Sequence, residues 1–172
     1  IRQRRGNHNR LGFAVQLCYL RYPGFALPPD AEPPASLLNI VGRQLRIAPD
    51  IWPQYAQRPE TRREHLLELQ AWLKLTPFAA ADYRRFVHQL AELAQQTDRG
   101  IVLAEALVEL LRQQRIILPA IDVIERVCSE ALTRGTRQVY AALTAPLADH
   151  HRRALDGLLA IREGTKGSGL IW

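Results

Sequence analysis

Chemistry in this 172-residue sequence rests almost wholly on arginine. Of 23 basic residues 21 are arginine and two are lysine (Lys74 and Lys166), against 17 acids, for a formal net charge of +6 and a pI near 9.9. A guanidinium is a planar fork that binds phosphate bidentately, where lysine offers a point charge. A polyanion is therefore the leading partner class. High-GC codon usage produces the same skew, so the distribution of charge must decide. Five arginines (Arg2, Arg4, Arg5, Arg10 and Arg21) and no acid lie between Ile1 and Pro29, which holds nearly the whole net charge. A basic, glycine-containing arm ahead of a first helix can track a phosphate backbone or enter a minor groove; a solvated, frayed terminus has the same composition.

Other chemistries find little support. The five histidines (His8, His65, His88, His150 and His151) are scattered, with no CxxC and no HExxH, so no metal and no cofactor is expected. Cys18 and Cys128 both fall in apolar helical patterns, where a thiol behaves as a small hydrophobe; neither a disulfide nor a nucleophilic site is expected, and a reducing cytoplasm fits. Acidic residues are single and mostly one helical turn from an arginine, as in Glu60 with Arg63, so no acid/base pair or two-metal centre is predicted. The run GTKGSG lacks the ending of a phosphate loop and follows a helix, so it reads as a linker. No catalytic residue is assigned. No apolar run approaches the roughly 20 residues that span a bilayer, so no membrane partner is expected. The sequence contains no methionine, even at position 1, which suggests a fragment of a longer polypeptide.

The elements that would position these arginines are helical throughout. With 47% hydrophobic, 23% charged and 7% aromatic residues the chain has a globular balance. Asn7 or Asn9 is placed to cap a first helix that is apolar on nearly all sides (Leu11 to Leu20), stopped by Tyr22, Pro23 and Gly24. Pro34 opens a second helix and Pro49 a short third. A fourth runs from Pro59 toward Thr76, with Leu66, Leu69 and Leu73 on one stripe. The fifth carries Tyr83, Phe86, Val87, Leu90, Leu93 and Ala94 on a single apolar stripe. A sixth (IVLAEALVELLRQQ), a seventh from Pro119 with a bend at Gly135, and an eighth over about Pro146 to Arg162 complete the set. No convincing period-2 segment occurs, and Arg115 to Leu118 is too short for a sheet. The fold class is all-α, about eight helices with helix-turn-helix-like pairs, divided as residues 1–98, 99–163 and a linker start at 164–172. Trp52 and Trp72 are assigned to the core.

Two short-linked pairs resemble helix-turn-helix units: the helices joined through LTPFAA and those joined through RIILP. An ordinary αα-hairpin carries the same signature. The basic arm, Arg62 and Arg63, Arg84 and Arg85, Arg115 in the second turn, and the stripe Arg126, Arg134 and Arg137 together could line one duplex.

The stretches NRLGFAVQLCYLRYPG (Asn9 to Gly24) and RIILPAIDVIERV (Arg115 to Val127), supported by PPASLLNIVGRQLRI and TRREHLLELQAWLKLTPF, resemble the N-terminal region of the Tn-three family of replicative transposases of class II transposons. The resemblance covers nearly the whole chain. It implies sequence-specific binding of double-stranded DNA at the terminal inverted repeats, at the nucleoid in a bacterial cytoplasm. The rest of the transposase chain and a second transposase protomer would be further partners. The family's catalytic core, an acidic metal-binding triad, lies far downstream, so no catalytic residue is carried over. Arg2, Arg4, Arg5, Asn7, His8 and Arg10 would hold phosphates or enter a minor groove, and the second helix of each pair would meet a major groove, where arginine pairs with guanine and Asn or Gln with adenine. The same residues also allow a helical scaffold module that docks other transposase segments, or a module binding RNA or any polyanion.

Overall fold

The computed structural model describes residues 6–55, 57 and 59–159, the side chain of Pro59 excepted. Among these residues the chain is all-α: α1 (Asn7–Arg21), α2 (Ala35–Leu45), a 3-10 helix (Pro49–Gln54), α3 (Pro59–Leu73), α4 (Ala80–Leu93), α5 (Gly100–Gln113), α6 (Ile121–Thr144) and α7 (Asp149–Leu159). The linker expected from residue 164 lies outside the described residues.

A helix that is apolar all round must be surrounded, and α1 is. Leu11, Ala14 and Val15 pack with Leu27, Val41 of α2 and Ile47, while Phe13 and Leu20 on another side pack with Leu69 of α3 and Ile117. Each leucine, valine, isoleucine or phenylalanine among them stabilises the fold by about 1.5–3 kcal/mol when fully buried. Gly6, not an asparagine, occupies the N-cap; Asn7 already lies inside the helix, and its Oδ1 accepts from Arg10 at 3.2 Å.

The second large cluster joins α4, α5 and α6. Phe86, Val87, Leu90 and Ala94 meet Leu103, Leu107 and Leu111 and, from α6, Ile124, Val127, Cys128 and Ala131. A boundary at residues 98 and 99 falls in the loop between α4 and α5, two helices that share this core. α6 runs unbroken through Gly135, whose face is buried against α4. There glycine serves a close helix crossing in place of the expected bend.

Three helices end alike. Arg46, Lys74 and Arg115 adopt left-handed backbone (φ 56, 54 and 56), and the N–H of the apolar residue after each reaches back to Gly42, Gln70 and Leu111 carbonyls at 2.8–2.9 Å. This is the Schellman arrangement, which satisfies orphan carbonyls and turns the following hydrophobe inward. The last of these turns ties the two clusters together. Thr76 donates to the Arg115 carbonyl and accepts from the Ile117 N–H at 3.0 and 2.9 Å, and Leu118 donates to the Gly24 carbonyl at 2.9 Å. Thr76 and Ile116 form the lone parallel bridge among the described residues.

The two short-linked pairs differ in packing. α5 and α6 pack directly, whereas α3 packs on α1 and α4 packs on α5 and α6, and among the described residues α3 and α4 do not pack on each other. Trp72 departs from the core placement expected of it: it is 65% exposed, because α1 alone packs on α3 and cannot cover both flanks of its leucine stripe. Trp52 does join the cluster around α1.

Candidate nucleic-acid interface

A guanidinium serves DNA only if the fold leaves it free, so each arginine is judged by its neighbours. Arg2, Arg4 and Arg5 lie outside the described residues. His8 and Arg10 sit half-buried in the first turns of α1, with Arg10 Nε enclosed. Arg62 turns into the fold: it donates to the Pro29 carbonyl at 2.6 Å and lies over the Tyr55 ring, 5.6 Å from its centroid. Arg85 bonds Asp82 at 2.7 Å and Gln114, with its plane 4.5 Å from the Phe86 centroid. Arg115 donates to the Leu73 carbonyl at 3.3 Å. Arg126 pairs with Asp122 at 3.3 Å, one turn back on α6, in a surface groove shared with Glu125 and Glu130. Such an exposed pair is worth little in stability, but the surrounding carboxylates repel phosphate.

Four of the sequence-derived arginines remain: Arg63, Arg84, Arg134 and Arg137 are exposed and make no hydrogen bond or ion pair among the described residues. Arg134 and Arg137 lie along one shallow groove of α6 with Thr133 and Gln138, closed at one end by Glu130. The spacing of these four (i, i+1, i+4, i+5) places them on one helix face. On α6 the sequence points to the arginines alone, although the same spacing includes Thr133 and Gln138.

His65, the two cysteines and Tyr83 are held by the fold. His65 is buried, its Nδ1 3.1 Å from the Tyr55 hydroxyl and its ring edge-on to Phe13 at 5.2 Å between centroids. Burial pushes the Cys18 and Cys128 thiols above their ordinary range, which keeps them protonated and poor nucleophiles; for Cys18 the neighbouring Arg21 opposes the shift. Tyr83 donates to Glu130 at 2.8 Å, and this bond first, then desolvation and the carboxylate charge, raise the phenol. Among the described residues no three His, Cys, Asp or Glu side chains gather to hold a metal ion, and no helix is long and apolar enough to cross a membrane.

The described residues thus form an all-α module with a buried histidine, shielded thiols and outward-facing unpaired guanidiniums. The chain belongs to the family described as a domain of unknown function (DUF4158), which matches residues 1–131. It is also similar, across all 172 residues, to the transposase for transposon Tn501 of Pseudomonas aeruginosa (53% identical) and to that for transposon Tn3926 of Escherichia coli (56%). A more distant relative is the transposase for transposon Tn1546 of Enterococcus faecium, 30% identical over 171 residues. The chain spans 17% of the length of each. The resemblance carried by Asn9 to Gly24 thus extends over the whole chain and over a small share of each relative.

Proposed function

We propose that this chain is the DNA-recognising part of a transposase and binds the terminal inverted repeats of its transposon as double-stranded DNA, helping to bring two ends together. The observation that carries this reading is the set of exposed, unpaired arginines on a helical module whose whole-chain relatives are transposases. Phosphate contacts would supply affinity and register, base contacts the sequence preference. Strand cleavage and joining belong, in this reading, to the larger part of the transposase that the chain does not span.

The test is a salt-titrated binding assay against duplexes carrying the terminal repeat of the parent transposon and a scrambled duplex of equal composition. Preference for the repeat that survives added salt supports end recognition. Equal, salt-labile affinity for both sinks it and leaves only a basic surface. One observation favours a second reading, a docking module within the assembled transposase: α7 packs on no other helix, and Leu155, Leu158 and Leu159 lie exposed on it. That reading predicts a mass that rises with concentration and little affinity for duplex at moderate salt.

A further inference from the structure

The two halves of α6 differ in ways that bear on how DNA is read. Its 24 residues make a rod about 36 Å long. The inward residues Ile124, Val127, Cys128 and Ala131 end with Gly135, and beyond Gly135 no residue of α6 is buried. The last nine residues therefore leave the three-helix core, with Thr136, Val139 and Tyr140 still bordering residues 94–99. Charge changes at the same place. Asp122, Glu125 and Glu130 lie in the first ten residues, whereas Ala131 to Thr144 holds no acid and carries Arg134 and Arg137, both unpaired. Gln95 Nε2 bonds Gln138 Oε1 at 2.9 Å, holding that amide in place beside Arg137. The tight crossing at Gly135 fixes the rotation of the rod, and with it the direction in which the Arg134, Arg137 and Gln138 face points.

Resting on the DNA-recognition reading above, we infer that the C-terminal half of α6 is the segment that enters the major groove, with Arg134 and Arg137 on base edges and Thr133 and Gln138 beside them. A helix is about 10–12 Å across and the major groove about 12 Å wide, so a helix enters with the face its neighbours leave open, and beyond Ala131 the open face of α6 carries Arg134 and Arg137. The N-terminal half is the poorer candidate: its groove holds Asp122, Glu125 and Glu130 around Arg126, which is already paired with Asp122. Common helix-turn-helix docking reads bases with the first residues of the second helix; here the last turns do so, and Arg126 stays off the bases.

The experiment uses a duplex that the chain itself enriches from a randomised pool, beside a scrambled duplex. Arg134→Ala, Arg137→Ala, Gln138→Ala and Arg126→Ala are all surface changes, and circular dichroism checks that each retains its helix content. Arg134→Ala and Arg137→Ala each lose about 10- to 100-fold in affinity for the enriched duplex, with far less lost on the scrambled one. Each also abolishes the interference that N7-methylated guanines, which point into the major groove, cause with the unaltered chain. Arg126→Ala changes neither. If the unaltered chain enriches a sequence but both variants retain its preference and interference pattern, the α6 inference falls while DNA recognition stands. If affinity drops equally on both duplexes with interference intact, the arginines hold phosphate only and groove insertion is overturned. If nothing is enriched, both readings fall together.

Discussion

Gly135 of α6 lies against Ala94 at the end of α4 so closely that a Cβ at position 135 would stand 2.8 Å from the Ala94 Cβ and 2.9 Å from the Ala91 carbonyl oxygen. Backbone, not a flexible side-chain tip, blocks that space. In an open helix Gly→Ala is stabilising by roughly 1 kcal/mol. Gly135→Ala is expected to have the opposite sign and cost about 1–3 kcal/mol through overpacking, read as a lower midpoint in urea at unchanged slope. A gain in stability would show that the crossing is loose.

Arg62 and Arg63 are neighbours in sequence with different work. Arg62→Ala loses the bond to the Pro29 carbonyl and the cover over Tyr55, and should destabilise the chain by about 1–2 kcal/mol. Arg63→Ala should leave the unfolding midpoint unchanged and, if Arg63 meets a phosphate, reduce the salt slope of duplex binding by about 1. Equal unfolding midpoints for the two variants would contradict the structural assignment.

Tyr83 and Glu130 predict an alkaline limb. The bond to Glu130 raises the phenol above its ordinary value near 10, so the folded state keeps its proton longer than the unfolded chain. Stability from this pair is fully present below pH 10 and is lost as pH rises through the raised value. Tyr83→Phe should cost about 1 kcal/mol or less near neutrality and flatten the pH dependence above 10. Chemical denaturation of both forms between pH 8 and 11 measures it.

Thiol alkylation separates the two cysteines. Cys128 is 5% exposed inside the α4, α5 and α6 core, and Cys18 is half-buried on α1. With both thiols raised by burial, iodoacetamide at pH 7.5 should modify each slowly, Cys18 ahead of Cys128, and both rapidly once urea unfolds the chain. Fast labelling of Cys128 in the native chain would show that the three-helix core opens locally.

Legibility in the sequence follows the range of the interaction. Helical periodicity acts over three or four residues, so α4 could be read from Tyr83, Phe86, Val87 and Leu90, and α1 announced its burial by being apolar on all sides. The all-α class, the absence of a sheet and the burial of Cys128 follow from the same local pattern. The exposure of Trp72 depends on how many helices pack on α3, which no local pattern contains. The helices joined by LTPFAA look like a pair along the chain, yet Leu75 inserts in one cluster and Phe78 in the other, so the short link spans two cores.

The arginines mark the same division most clearly. Their number, their excess over lysine and their concentration in the first 29 residues are properties of the sequence by itself, and so is the likeness to transposases. Which of them face outward is decided by tertiary structure. A guanidinium sits at the end of a long side chain and bonds whatever carbonyl or carboxylate the fold brings within reach: Pro29 for Arg62, 33 residues away, and Leu73 for Arg115, 42 residues away. Arg134 and Arg137 are left free because they stand on the face of α6 turned away from the Ala131 and Gly135 side that packs on the core.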